Sequence, residues 1–428
     1  MALRISMQNL NWKLLVEIIG GVLFVVLLVW FFLFRSPGLE PANTEPQQTF
    51  VPSDTTTGVA ASNNPSSNAV ETTGLQSPTS KQKVFKISDG PVAGAAFMQD
   101  LRPTTTVARF IMQASGHVLD LAIDSPGSVA RAISNTTIPG ALQAVWAMQT
   151  VVSRQVAAGS VLQYIDNGTI KSVALVFPTA STTASSTAPA PVRIQFLPDN
   201  IRSLTASPDG LSLTYLIATA AGSDIYTARY DGTSPKKLAS LPLSQVIISW
   251  PSASVILATS KAAVGVPGIA LSVNAASGAV SPVLYAPGLT ATADFSFKYV
   301  VYQSATAQSR LTYTHDTESN LDRPLSFDPI PEKCVWSRLQ AGLMYCAVPL
   351  SYTSPQYMDL WHQGAGSASD SIVSYNLMTG QTRPVANPGG ADGGEASDIM
   401  QMALSGDEKY LLFVAKGTRS LWGVRLRN

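Results

Sequence analysis

The chain contains little cysteine, little histidine and little charge. Two of its 428 residues are cysteine, three are histidine, and 13% are charged. Two cysteines are too few for a disulfide framework or a cysteine-based zinc site. His117, His315 and His362 are scattered, without a second His or Cys at ligand spacing. We therefore expect no metal and no other cofactor.

An excess of charge of one sign is also missing. Lys and Arg number 28, Asp and Glu number 27, and the formal net charge is +1. Proteins that bind nucleic acid usually carry a basic patch or stripe, so no nucleic-acid partner is expected. The sequence also lacks a Gly-x-Ser-x-Gly motif and a phosphate-binding loop, which are signatures of hydrolases and nucleotide-binding proteins. We therefore expect the protein not to be an enzyme.

One long hydrophobic run lies near the start of the chain. Residues 14–34 contain a single charge, Glu17, and about 20 apolar residues are enough for a helix to cross a bilayer core of ~30 Å. The run exceeds the roughly 7 to 15 apolar residues of a signal peptide. We predict an uncleaved, single-pass transmembrane helix, with a buried helix of a soluble protein as the alternative.

The basic residues around this run predict its orientation. Arg4 and Lys13 precede the run, and after Arg35 no Lys or Arg occurs until Lys81. Basic flanks stay in the cytoplasm. We therefore predict that residues 1–13 form a cytoplasmic segment, and that the rest lies outside the cytoplasm at the cell (inner or plasma) membrane.

The composition changes twice after the hydrophobic run. Residues 35–80 are rich in Pro, Ser, Thr, Asn and Gln and contain almost no aromatic residue, so they cannot bury enough apolar surface to offset the entropy of ordering. We predict a disordered, low-complexity linker. In residues 81–428 short apolar runs alternate with turn residues and no long helical period occurs, which predicts an all-β domain.

An internal repeat predicts the architecture of this domain. Residues 203–239 indicate four short strands, with tight turns at Ser207-Pro-Asp-Gly and Tyr230-Asp-Gly-Thr. Similar units recur about every 40 to 50 residues once two insertions, 179–191 and 349–370, are set aside, and this period is typical of propeller blades. We predict a seven-bladed β-propeller, with six or eight blades as alternatives.

Two motifs carry a resemblance to a known type of repeat. The turn Ser207-Pro-Asp-Gly is followed by Leu-Ser-Leu-Thr-Tyr, and Ser405-Gly-Asp-Glu-Lys-Tyr-Leu-Leu-Phe is followed by Ser420-Leu-Trp-Gly-Val. Residues 83–428 resemble the TolB-type repeat of bacterial β-propellers, which is related to WD-like and prolyl-oligopeptidase propellers. The resemblance implies the fold and leaves the ligand open. The separate α/β domain of TolB has no counterpart in this sequence, so its envelope partner is not carried over.

The two ends of the domain are predicted to meet. The last unit, Met400–Arg427, has only three clear strands, while the run Lys83–Ser88 stands ahead of the first full unit. We expect this run to supply the missing strand, which closes the ring and removes an exposed sheet edge.

Cys334 and Cys346 lie symmetrically about Gln340 in a predicted hairpin. Directly opposed residues of neighbouring strands have Cβ atoms about 4.5 to 5.5 Å apart, which is close to disulfide geometry. A disulfide would suit an exported domain. Two buried thiols that pack between blades are the alternative.

Two loops hold candidate ligands. The insertion 349–370 is long and aromatic, and long loops in compact repeats are often functional. It predicts a platform for peptide or sugar at one mouth of the ring, and aromatic side chains that pin the loop to its own blade are the alternative. The candidate residues are Tyr352, Tyr357, Asp359, Trp361, His362 and Asp370. The acidic, glycine-rich loop 389–398 lacks the ligand spacing of a calcium loop and is expected to be plain surface.

These observations favour a membrane-anchored, extracytoplasmic β-propeller that binds or scaffolds a protein, peptide or glycan at the cell envelope. The membrane would be contacted through residues 14–34. An envelope hydrolase or lyase with its site at the mouth of the channel is the alternative.

Overall fold

The computed structural model describes residues 75, 77, 82–99, 105–134, 136–151, 154–178, 192–351 and 353–426. The predicted membrane span 14–34 and the insertion 179–191 lie outside these residues, as does the linker 35–80 apart from Leu75 and Ser77. Within the described residues, no helix has the length and apolar character that crossing a membrane requires.

Seven four-stranded antiparallel sheets follow one another along the chain. Blade 1 comprises β2 (Val92–Gln99), β3 (Thr106–Met112), β4 (Val118–Ala122) and β5 (Arg131–Ala132). Blade 2 comprises β6 (Ala141–Val151), β7 (Arg154–Asp166), β8 (Thr169–Val176) and β9 (Arg193–Phe196). Blade 3 comprises β10 (Ile201–Ala206), β11 (Ser212–Thr219), β12 (Gly222–Arg229) and β13 (Lys236–Leu241).

The remaining blades continue the pattern. Blade 4 comprises β14 (Val246–Ser252), β15 (Val255–Ser260), β16 (Pro267–Asn274) and β17 (Val280–Pro287). Blade 5 comprises β18 (Thr290–Ala293), β19 (Tyr299–Ala305), β20 (Arg310–Asp316) and β21 (Leu321–Pro324). Blade 6 comprises β22 (Cys334–Trp336), β23 (Leu343–Pro349), β24 (Asp370–Asn376) and β25 (Gln381–Ala386). Blade 7 comprises β26 (Ile399–Leu404), β27 (Tyr410–Ala415), β28 (Leu421–Arg425) and β1 (Val84–Lys86).

The prediction of an all-β, seven-bladed β-propeller is therefore confirmed. Blade 3 shows why the sequence gives these strands. Gly210, with φ of 68°, ends the turn that begins at Ser207, and the Gly210 N–H donates to the Ser207 carbonyl at 2.9 Å. The Asp209 side chain accepts the N–H of Leu211 at 3.0 Å. The turn residues thus satisfy their own backbone and return the chain into β11.

The ring closes as the sequence predicts. β1 pairs with β28 in antiparallel register, Val84 opposite Val424 and Lys86 opposite Trp422. The first described strand therefore completes the last sheet as its outermost strand, and β1 covers the edge of β28.

One strand end differs from its prediction. The run Ala144-Val145-Trp146 predicts a strand that ends at the tryptophan, but β6 runs on to Val151. The register shift between Ala147 and Met148 leaves Ala158 of β7 as the extra residue, so β6 continues past the tryptophan opposite a bulge of its partner strand and no turn follows Trp146.

The core consists of apolar layers between neighbouring blades. Between blades 7 and 1, for example, Phe85, Phe97, Phe110 and Leu412 form a buried cluster. Because each blade buries both faces against its neighbours, the second strands carry nearly continuous apolar runs such as Tyr410–Ala415. This packing fixes the inner strands around a central channel.

Candidate functional site

The insertion of blade 6 connects β23 to β24 and contains one short helix, α1 (Tyr357–His362). It reaches beyond its own blade. The Val264 N–H, in blade 4, donates to both carboxylate oxygens of Asp359 at 3.2 Å. The Gln356 side-chain amide donates to the carbonyl of Ala307, in blade 5, at 3.3 Å. The insertion is therefore tied to two other blades as well as its own.

A buried charge cluster fastens the insertion to blade 7. Lys333 belongs to a single 3-10 turn, Pro331–Lys333, just before β22. Its ammonium donates to Asp370 Oδ2 at 2.8 Å and to Asp398 Oδ1 at 2.6 Å. The side chains of Lys333 and Asp370 are 0% exposed and that of Asp398 is 1% exposed. One cation thus joins the start of β24 to the start of β26.

Trp361 and Lys416 complete the cluster. The Trp361 indole N–H donates to Asp398 Oδ1 at 3.0 Å. The Lys416 ammonium donates to the carbonyls of Trp361 and Gly366, both at 2.8 Å, and lies 4.5 Å from the centre of the Trp361 ring. Two ammonium groups therefore face two carboxylates, which balances the charge that burial would otherwise make costly.

The pKa of the Asp370 carboxyl group is raised by its surroundings. Burial raises its pKa to about 6, although the Lys333 ammonium and the N–H of Ile399 act in the opposite direction. Its Oδ2 accepts both of these donors, whereas Oδ1 is buried and has no hydrogen-bond partner among the described residues. Desolvation therefore outweighs pairing at this carboxyl.

The predicted site residues of the insertion separate into distinct environments. Tyr357 is 5% exposed and packs with Ile330 and Met358 beneath α1, and Asp370 is fully buried. Tyr352 lies outside the described residues. His362 is the one that lines the central cavity, where its Nε2 lies 3.2 Å from Glu332 Oε2.

The central cavity lies where the inner strands begin. Its volume is about 670 Å³, and its wall is formed by the inner strands of blades 1, 2, 3, 4 and 7 together with His362. The polar side chains that line it include Gln143, Arg202, Ser244, Gln245, Lys261 and Gln401. The insertion therefore contributes a side chain to the wall of the channel.

Arg202 and Lys261 give this cavity its charge. Neither forms an ion pair in the described part of the chain, and none of the described residues that line the cavity is Asp or Glu. Arg202 stands at a register shift of β10, where Ile201 faces Ile217 and Ser203 already faces Leu216. A bulge of this kind re-aims a side chain.

Lys333, Arg202 and Lys261 are not among the residues that the sequence predicts for a site. Lys333 adjoins Cys334 at the start of an inner strand, and an isolated charge beside an apolar strand was its only signal. Asp398 ends the acidic loop that was expected to be plain surface, but its side chain is buried. Bulge positions such as that of Arg202 leave no mark in a single sequence.

The two cysteines lie directly opposite each other. Cys334 of β22 pairs with Cys346 of β23, and their sulfur atoms form a disulfide at 2.08 Å. The bond joins the two innermost strands of blade 6, next to the turn that carries Lys333.

Histidine and carboxylate side chains do not gather into a metal centre among the described residues. His315 instead pairs with Asp322 across blade 5, with Nδ1 2.9 Å from Oδ1. His117 lies 3.2 Å from the hydroxyl of Thr137.

The class of protein that this geometry defines is a seven-bladed β-propeller with a central cavity. No protein-family profile matches the chain, and no curated protein sequence matches it. Solved structures of similar fold include oligogalacturonate lyase from Vibrio parahaemolyticus (11% identity, TM-score 0.46), which covers 80% of this chain and 99% of its own. A match to TolB from Acinetobacter baumannii (9% identity, TM-score 0.38) covers 79% of this chain and 65% of the TolB chain.

A third similar structure is the β-propeller domain of the trilobed protease from Pyrococcus furiosus. It has 8% identity and a TM-score of 0.45, and covers 79% of this chain and 97% of its own. These proteins include enzymes and a TolB protein, so the likeness concerns the fold and assigns no activity.

Proposed function

We propose that this protein is a non-enzymatic binding module whose ligand enters the central cavity beside the blade 6 insertion. The cavity carries the proposal: its volume of about 670 Å³ lies within the ~300 to 1,000 Å³ that is usual for ligand sites. Polar groups from several blades converge on it, which is the arrangement that orients a ligand.

The anchoring of the insertion supports a preorganised site. Asp359, Trp361 and the buried Lys333–Asp398 pair hold the insertion against blades 4 and 7. His362 is the last residue of this anchored helix and lines the cavity. A wall that is already ordered loses little entropy when a ligand binds.

No catalytic role is proposed for Asp370. Its raised pKa is of the kind found in active sites, but its carboxyl is fully buried and is not among the groups that line the cavity. We assign it to the anchoring of the insertion.

Photo-crosslinking in intact cells tests the binding site. We expect p-benzoylphenylalanine in place of Gln245, which lines the cavity, to give a ligand adduct after irradiation. The matched control places the same residue at Gln381, which is exposed on the outermost strand of blade 6. Equal adducts at both positions, or no adduct at Gln245, would contradict the proposal.

We further propose that the propeller is held outside the cytoplasm by a transmembrane helix at residues 14–34. The apolar run, the basic residues ahead of it and the Cys334–Cys346 disulfide support this address. The linker 35–80 would then act as a tether that keeps the binding module close to the membrane.

Labelling with a membrane-impermeant maleimide tests this address. In spheroplasts, Ser62→Cys in the linker should react at once, while Ser6→Cys in the predicted cytoplasmic segment should react only after the membrane is permeabilised. The unsubstituted protein supplies the background. Immediate labelling of Ser6→Cys, or protection of Ser62→Cys, would show the opposite orientation.

A further inference from the structure

We propose that the cavity recognises its ligand through carboxylate groups, which Arg202 and Lys261 bind. This inference rests on the proposed binding function and specifies the class of ligand. Both cations line the cavity, and the described lining residues contain no carboxylate to neutralise them. Since the chain as a whole is almost neutral, this local excess of positive charge belongs to the cavity itself and favours an anion there.

The position of Arg202 is set by the backbone. The inner strands of blades 1, 2 and 3 each have a register shift after their first residue, which leaves Ala93, Leu142 and Arg202 as the extra residues. Only blade 3 of these three carries a charged side chain at the bulge. Both Arg202 and Lys261 are exposed and neither has an ion-pair partner among the described residues, so both cations are accessible to a ligand anion in the channel.

Lys261 lies in the adjacent blade. It follows β15 directly, and its N–H donates to the carbonyl of Gln245 at 2.9 Å. The backbone therefore fixes where the lysine leaves the sheet, beside the start of the inner strand β14. Ser244 and Gln245 adjoin it in the cavity wall and can donate further hydrogen bonds to an anion.

A carboxylate fits this set of donors better than a neutral group. A guanidinium presents two parallel N–H groups that match the two oxygens of a carboxylate, and an ammonium adds a point charge. Carboxylates of this kind occur in acidic peptides and in uronic acids. We propose the carboxylate group that both sources share, and the choice of probe in the experiment distinguishes the peptide source from the sugar source.

Calorimetric titration of the detergent-solubilised full chain tests the inference. The probes are tri-L-glutamate for the peptide source and D-glucuronate for the sugar source, with tri-L-glutamine as the neutral control. We expect at least one acidic probe to bind, with an affinity that falls as salt is added, and tri-L-glutamine not to bind. The probe that binds identifies the source.

Matched variants locate the binding. In the double variant Arg202→Gln, Lys261→Gln the affinity for the acidic probe should fall roughly tenfold or more, because charge-assisted hydrogen bonds are lost. Arg383→Gln, on the exposed outermost strand of blade 6, should leave it unchanged. Equal melting temperatures would show that all variants are folded.

The outcomes separate this inference from the function on which it rests. Binding of neither acidic probe, or equal binding by the double variant, would overturn the inference. If the Gln245 photo-adduct still forms in that case, the cavity binds a ligand of another class and the proposed function stands. If p-benzoylphenylalanine at position 245 gave no adduct in the protein that keeps Arg202 and Lys261, the proposed function itself would be overturned.

Discussion

Phe85 lies directly opposite Gly423 at the joint that closes the ring, and its ring covers the glycine. The two residues are paired across β1 and β28, and a Cβ placed on Gly423 would lie 2.5 Å from the Cζ atom of Phe85. The Arg425 guanidinium lies 4.5 Å from the centre of the same ring. The phenylalanine thus fills the space that the missing side chain leaves and continues the apolar layer towards blade 1.

This contact predicts that Gly423→Ala destabilises the propeller. The added methyl group must displace the buried Phe85 ring, and overpacking of a core typically costs about 1 to 3 kcal/mol. We expect a lower free energy of unfolding in denaturant titration, with the whole domain affected because the joint holds the first and last blades together.

Gly417→Ala is the matched control for this substitution. Nothing lies within 4 Å of a Cβ at Gly417, so the same methyl group should have little effect there. If Gly423→Ala and Gly417→Ala gave the same stability as the unsubstituted protein, the packing of Phe85 would not contribute to closure.

The raised pKa of Asp370 predicts a pH dependence of stability. Its pKa is raised from 3.8 to about 6 in the folded protein, so the folded state binds this proton more tightly than the unfolded state. The stability contributed by the protonated form is complete below pH 3.8 and is lost as the pH rises through 6. Relative to Asp370→Asn, the unsubstituted protein should therefore lose roughly 2 kcal/mol between pH 4 and pH 6, out of a total of about 3 kcal/mol over the whole titration.

Denaturant titrations of both proteins at several pH values measure this difference. The relevant quantity is the free energy of unfolding of the unsubstituted protein minus that of Asp370→Asn. If this quantity stayed constant or increased as the pH rises, the assignment of the raised pKa to Asp370 would be contradicted. Asp398→Asn offers a comparison, because both oxygens of Asp398 lie within 3.1 Å of the Trp361 N–H and Oδ1 also accepts from Lys333. We expect it to cost ~3 to 5 kcal/mol at neutral pH, since a buried cation would lose a charged partner.

The indole of Trp361 is expected to hold the insertion closed. Trp361→Phe keeps an aromatic ring next to Lys416 but removes the N–H that donates to Asp398 at 3.0 Å. Loss of a hydrogen bond to a charged group costs about 1.5 to 3 kcal/mol. Cleavage of the insertion by a protease should therefore be roughly tenfold faster or more.

Leu360→Ala is the control on the same helix, because the Leu360 side chain is 42% exposed and its loss should not open the insertion. Mass spectrometry of the fragments locates the cut. Unchanged cleavage in Trp361→Phe would mean that the hydrogen bond to Asp398 does not limit the opening of the insertion.

The fold could be predicted from the sequence because each blade repeats the same local pattern of turn residues and apolar strands. The Ser207–Gly210 turn and the run Tyr410–Ala415 identify a turn and a second strand without reference to the rest of the chain. Closure by Lys83–Ser88 also followed, since the last unit lacked one strand. The prediction of a strand end at Trp146 was wrong because β6 continues past the tryptophan, opposite a bulge that lies on its partner strand β7.

Less of the site could be predicted from the sequence, because the site depends on contacts between residues that are far apart in the chain. Lys333 joins Asp370 to Asp398, and nothing local to any of the three indicates the others. The direction of Arg202 is set by a register shift of one residue, which a single sequence does not show. The aromatic content of the insertion did single out Trp361 and His362, although it could not separate the anchor from the residue that lines the cavity.

The disulfide predicts a dependence of stability on reductant. Cys346 is fully buried and is bonded to Cys334 with a separation of 12 residues, and a crosslink over a loop of this length is worth roughly 3 kcal/mol. The melting temperature of the unsubstituted protein should fall after the protein has been unfolded and refolded in the presence of a reductant. The double variant Cys334→Ser, Cys346→Ser should have a lower melting temperature without reductant, and reductant should not change it. Thiol titration of the denatured, unreduced protein should find no free thiol. Two titratable thiols together with indifference to reductant would show that the pair is reduced in the isolated protein and would remove its support for an extracytoplasmic address.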